Sequence, residues 1–306
     1  MIRLILILSF LVNSVIGQNL IENPSFEEYE NCPSNYYQTY RKYLVPSWRV
    51  PARTTPDYFN RCGKSKAKVP GNFAGYSEPI SGNAYAGLII FQPGGGFGGS
   101  EYLQTHFKKP LVADSLYRVS FYYQLSSNSI YSCNGLGVLI STKKVKTRKY
   151  FLDYDATSMI KNPIKNKGSW NLFCFEYKAK GGEEYLTIGR FSKYDQTISK
   201  ELKIEGIRKS NALKEVYVYI DDVSVESSVN GCKSQKNNQK GDTLYLNRYQ
   251  SIFLLKDSIY FSEIREKLLV QKGLKIYIKG EKSNSKELLQ KFLKNGILPS
   301  QIILEE

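Results

Sequence analysis

The chain of 306 residues has one histidine, two tryptophans and two methionines, and none of its five cysteines forms a CxxC pair. A single His106 rules out HExxH and multi-histidine metal centres, and no GxSxG elbow is present, so nucleophile–histidine and zinc-hydrolase chemistry has no anchor. Glycosidases need only two carboxylates, so a glycan-active enzyme stays open on this ground. GGGFGG (94–99) has neither the GK[ST] ending nor the following helix of a phosphate loop. Beyond residue 17 no apolar run is long enough to span a bilayer.

What is present begins with MIRLILILSFLVNSVIG, in which an early Arg3, an apolar run from Leu4 to Val12 and small residues before Gln18 predict a secretory signal peptide over residues 1–17. Tyrosine is frequent, at 24 residues, and with phenylalanine it favours strands. Lys and Arg outnumber Asp and Glu by 43 to 28, for a net charge of +15. The lysines are spread along the chain instead of forming one basic stripe. This points away from a nucleic-acid site and toward a general attraction to anionic polymers such as acidic glycans or cell-wall material. In an exported chain the cysteines predict disulfides, paired as Cys32–Cys62 and Cys133–Cys174 with Cys232 left over; a buried unpaired thiol is the alternative for either pair.

Period-2 runs bounded by Gly, Pro, Asn and Ser predict strands at 84–91, 101–107, 115–125, 135–141, 169–178, 184–191 and 215–227. Many short strands without alternating helices predict a mainly β fold, a jelly-roll β-sandwich over 18–228. VNGCKSQKNNQKGDT (229–243) reads as a linker. Residues 244–306 then change period: a helix over 260–272, a strand in LKIYIKG (274–280), a helix over 286–295 closed by Gly296 and a strand in QIILE (301–305) predict a small α+β module.

The blocks NPSFEEYENCP (23–33), TPDYFNRC (55–62), SGNAYAGL (81–88), the run 101–129, KAKGGEEYLTIGRF (178–191) and YIDDVSVES (219–227) resemble an N-terminal module of exported Bacteroidetes proteins. That module is similar to the galactose-binding-like jelly rolls of carbohydrate-binding modules and is often followed by an OmpA-like domain. Residues 274–302 resemble a reduced OmpA-like fold. Gly280-Glu281-Lys282-Ser283 replaces that family's Gly-His-Thr-Asp turn and the Arg-bearing segment is missing, so peptidoglycan binding is not implied.

In VYVYIDDVSVE (216–226) the apolar phase slips at Asp221-Asp222. The resemblance implies a structural Ca²⁺ there, held by Glu27 with Asp221 or Asp222, and hard oxygen donors suit that ion. The competing reading is a β-bulge with one Asp facing solvent and the other bonded to a cation or main-chain N–H. Tyr36, Trp48, Tyr58 and Phe97, on expected loops, are the candidate sugar-stacking residues, although neighbouring aromatics on strands supply core rings as well. The function expected is that of a non-catalytic exported envelope protein, periplasmic, outer-membrane-associated or extracellular, that binds a glycan or envelope polymer. The alternatives are a jelly-roll hydrolase or lyase and a structural, adhesin-like component with a protein partner.

Overall fold

The computed structural model describes residues 18–35, 43–94, 99–165, 167, 169–191, 198–202, 212–227, 231–232, 243–246, 275–279, 282–305 and positions 261, 265, 268 and 269. The strands in chain order are β1 (Trp48–Arg49), β2 (Asp57–Asn60), β3 (Gly71–Asn72), β4 (Gly75–Tyr76), β5 (Ala84–Phe91), β6 (Tyr102–His106), β7 (Leu116–Leu125), β8 (Tyr131–Cys133), β9 (Leu136–Ser141), β10 (Ser158–Met159), β11 (Asn171–Lys178), β12 (Tyr185–Arg190), β13 (Ser199–Glu201) and β14 (Val216–Ser227). Each run expected from period-2 alternation is a strand, with ends shifted by at most two residues.

Two five-stranded antiparallel sheets, ordered β1-β6-β12-β9-β10 and β11-β7-β14-β5-β2, face each other. Leu103, Leu186, Ile188 and Val138 of the first meet Leu88, Val119, Phe121, Val218 and Ile220 of the second in one core. Burying one such side chain contributes about 1.5–3 kcal/mol, so the two inner faces supply the main driving force for this β-sandwich.

The opposite residues of β14, Tyr217 and Tyr219, join Phe59, Tyr85, Val69 and Ala74 in a second cluster on the outer side of the β14 sheet. Residues 61–80, including the β3–β4 hairpin, supply part of that cover, and Trp170 closes it by donating from Nε1 to Glu78 O at 2.8 Å. Gly87 of β5 lies between Phe59 and the Tyr217 hydroxyl, where a Cβ has no room.

The phase slip in β14 is a bulge. Pairing with β7 jumps from Asp221↔Tyr122 to Ser224↔Ser120, and Asp222 has φ +47°. The extra residue returns Val223 and Val225 to the core that Ile220 occupies.

Cys32 bonds Cys62, and Cys174 bonds Cys232. The expected Cys133–Cys174 pair is therefore corrected. On β11, Phe173, Phe175 and Tyr177 pack on the core, which turns Cys174 to the opposite face, whereas Cys133 sits inside the core as a free thiol. Burial pushes that thiol up to about 12, which makes it inert. Cys232 thus fastens the start of the expected linker to the sandwich.

Farther on, β15 (Thr243–Leu246), β16 (Lys275–Lys279) and β17 (Ile302–Glu305) form a parallel three-stranded sheet, with α1 (Lys282–Lys294) connecting the last two strands. Phe261, Leu268, Ile276, Ile278, Leu288 and Phe292 make its separate core. The strand, helix and strand expected over 274–305 are present; the helix expected over 260–272 and the signal-like residues 1–17 fall on residues that are, apart from 261, 265, 268 and 269, outside the described ones. No helix among the described residues is long and apolar enough to cross a membrane.

Candidate functional site

Alternation gives the β1-β6-β12 sheet an outer face made of the residues between its core positions. Register lines up Arg49, Gln104, Thr187 and Leu139 in one row, and His106, Tyr185 and Ser141 in the next. Arg49 Nε donates to Gln104 Oε1 at 3.1 Å, and Gln104 Nε2 donates to Thr187 Oγ1 at 2.8 Å. The Arg49 guanidinium lies 5.1 Å from the Tyr185 ring centroid, and the His106 ring meets Tyr185 edge-on at 5.0 Å. His106 Nε2 is 3.5 Å from Glu184 Oε2, and both side chains are well exposed.

A third row, Tyr102-Gly189-Gly137, is capped by residues 142–157, whose Val145 and Leu152 pack with Ala52, Tyr102 and Phe191. The first two rows therefore form a polar platform that presents Arg49, the Tyr185 ring, His106 and Ser141 at the surface, while Gln104 and Thr187, both fully buried, hold Arg49 from beneath. Such a platform recognises polyhydroxylated or charged ligands by directional bonds. Sequence reading missed it, because Arg49, Gln104 and Tyr185 lie on three strands distant in the chain.

The carboxylates expected to hold a cation lie at the β14 bulge and beside the start of β5. Glu27 Oε1 accepts from the N–H groups of Asn83 and Ala84 at 2.7 and 2.9 Å; Asp222 Oδ1 accepts from Ser81 Oγ at 2.6 Å; Asp221 Oδ2 accepts from Ile80 N at 3.0 Å. Gly82, at φ +62°, leaves room for the Glu27 carboxylate that a Cβ would fill. Burial first, and then the Asp222 charge, push the Asp221 carboxyl up to about 9. Asp222 is raised by burial and by Glu27.

Among the described residues no Lys or Arg forms an ion pair with these three. The all-oxygen donor set and uncompensated charge fit a hard cation in kind. Among the described residues, however, no three acidic, His or Cys side chains gather into a metal-holding group, so other protein oxygens would have to complete a shell. Beside this cluster an open cleft of about 430 Å³ is lined by Glu27, Tyr29, Asn60, Arg61, Cys62 and Asn83.

The expected stacking aromatics are not brought together. Trp48 is buried in β1 against Phe26, with Nε1 donating to Asn23 O at 2.9 Å. Tyr58 is buried in β2, its hydroxyl donating to Phe26 O at 3.0 Å. Both fasten the NPSFE segment to the sandwich and are unavailable to a ligand, because their strands turn them inward. Tyr36 and Phe97 lie outside the described residues.

Two further carboxyls, Asp57 and Glu101, are raised by burial. Asp57 accepts from the Tyr217 hydroxyl at 2.6 Å, and Glu101 accepts from Thr55 N and Ile89 N at 3.1 and 2.8 Å. These bonds tie strands together inside the fold.

No family model matches the chain, and no curated protein matches it. Among solved structures it is similar to the K1 cleaved adhesin domain of Lys-gingipain from Porphyromonas gingivalis W83, at 15% identity over 63% of this chain and 97% of that one, with a TM-score of 0.34. It is also similar to TmCBM61, solved with β-1,4-galactotriose, at 13% identity over 69% and 99% of the two chains and a TM-score of 0.30. The CBM22-1 xylan-binding domain of Paenibacillus barcinonensis Xyn10C shows 7% identity over 64% and 97%, with a TM-score of 0.32.

Proposed function

We propose that this chain is an exported, non-catalytic binding protein of the cell envelope whose sandwich takes a glycan or envelope polymer on the outer face of β1, β6 and β12. The observation that supports this is the partly exposed Arg49 guanidinium, braced by the buried Gln104–Thr187 pair, with Tyr185 beside it. The outer side of β2, β5 and β14 in the other sheet, in contrast, is buried beneath residues 61–80 and Trp170. Side chains locked by mutual hydrogen bonds lose little entropy on meeting a ligand. The two disulfides are at home in an oxidising compartment.

Residues 18–232, up to the second disulfide, would form the binding unit and residues 243–306 a small α+β appendage. In the same reading Glu27, Asp221 and Asp222 hold a structural Ca²⁺ that steadies the bulge.

A glycan array run beside a pulldown from native envelope tests the proposal, with Arg49→Ala and Tyr185→Ala as comparison proteins. Saccharide binding that falls at least about tenfold in both variants, with their unfolding midpoints unchanged, is the expected result. Retention of full binding by both would remove this face as the site. Capture of a protein alone would favour the structural, adhesin-like alternative.

A further inference from the structure

Residues 143–149 read KKVKTRK, five cations in seven positions. They belong to the strap that caps the third row of the platform. Its conformation is set by main-chain bonds, Thr147 N to Pro51 O at 2.8 Å and Arg53 N to Lys149 O at 3.0 Å, and by the buried Val145 and Leu152. The cations themselves are exposed. Among the described residues none of Lys143, Lys144, Lys146, Arg148 and Lys149 has an ion-pair partner, and the exposed Asp153 and Asp155 do not reach them.

Arg53 lies over the Tyr150 ring at 5.8 Å and Lys149 over Phe151 at 5.6 Å, and both rings face solvent. The strap also borders the platform. Partial desolvation, followed by the charges of Arg49 and Lys146, holds the Lys144 ammonium below its ordinary pKa. Arg49 has its Nε bonded to Gln104 and its plane near Tyr185, which presets the guanidinium fork for a planar oxyanion.

Like charges gathered on a rigid loop repel one another and destabilise the fold slightly; a polyanion reverses that cost. We infer that the platform and the 143–149 strap together take an acidic polysaccharide, with the carboxylates or sulfates of successive sugars on Arg49 and the strap cations, and the sugar rings and hydroxyls on the Tyr185–His106 side. This rests on the binding reading above and adds the ligand's charge class. A lipid surface would meet the cations and exposed rings but leave the hydrogen-bonding platform unused, so the polysaccharide is the better fit.

The test is calorimetric titration of the full mature chain with polygalacturonate and with its fully methyl-esterified form, which share one backbone and differ in the methyl group that neutralises each carboxylate. Polygalacturonate is expected to bind at least about tenfold more tightly and to weaken steadily as NaCl rises. Replacing Lys143, Lys144, Lys146 and Arg148 by Gln should abolish that preference. Replacing the three lysines by Arg should keep it, and thermal midpoints should not fall in either variant, because all four side chains are exposed.

Equal binding of the charged and esterified polymers, lost in Arg49→Ala, overturns the acidic class and leaves the platform reading intact. Binding of no polysaccharide on the array or in titration overturns both. Strap-dependent binding that is tighter to phosphatidylserine vesicles or to a single-stranded oligonucleotide than to polygalacturonate overturns the inference in favour of those partners.

Discussion

Glu101 turns a buried carboxyl into a measurable pH dependence. Its side chain is 3% exposed and accepts from the main-chain N–H groups of Thr55 and Ile89 and from the Thr55 hydroxyl. Burial outweighs those bonds and pushes its carboxyl from 4.5 up to about 7. Because the folded-state pKa lies above the unfolded value, the folded chain holds the proton more tightly between those limits. The resulting stability is complete below about pH 4.5 and is lost as pH rises through 7. At 1.36 kcal/mol per unit, the shift corresponds to about 3 kcal/mol.

Glu101→Gln stays neutral at every pH and carries only a constant offset from the amide N–H₂ that faces a donor. Asp57, which the Glu101 charge helps to raise, is also relieved in the variant, so its contribution has the same sign. Urea unfolding of both proteins from pH 4.5 to 8.5 should show the wild type losing about 3 kcal/mol relative to the variant across that range. Curves that run parallel within about 1 kcal/mol would refute a carboxyl held protonated by burial.

Non-reducing peptide mapping should return Cys174 linked to Cys232 and Cys133 unmodified; a Cys133–Cys174 peptide would overturn the packing described for β8 and β11. A fragment ending at 232 should exceed one ending at 228 by up to about 4 kcal/mol, the chain-entropy value for a loop of this length, measured by denaturant midpoints under oxidising conditions. Gly87→Ala should destabilise by about 1–3 kcal/mol or more, since the new methyl must displace Phe59 or break the Tyr217–Asp57 bond; an unchanged midpoint would contradict that contact. For the proposed cation, the unfolding midpoint should rise with Ca²⁺, by about 2.7 kcal/mol at a hundredfold excess over Kd, and Asp222→Asn should remove the rise. A midpoint indifferent to Ca²⁺ in metal-stripped protein would leave Asp221-Asp222 as a bulge alone.

The chain by itself determined the strands. Alternation in AYAGLIIF and in VYVYI places every second residue on one face, and this local pattern survives into the sandwich because both sheets need an apolar side. The phase slip at Asp221-Asp222 left a cation site and a bulge as rival readings, and the strand register supplies the bulge. Alternation cannot say which face meets a partner. Trp48 and Tyr58 read as loop aromatics, yet both belong to strands whose inner side receives the NPSFE segment, a contact spanning more than twenty residues of chain. Cys133 and Cys174 are both on strands, and only the packing of Phe173 and Phe175 sends one thiol inward and the other outward. In linear order the basic residues look dispersed, and the cations of KKVKTRK do not stand out among them. Their union with Arg49 and Tyr185 was decided by antiparallel registers joining β1, β6, β12 and β9, because long-range pairing, unlike strand periodicity, depends on which distant segments share a sheet.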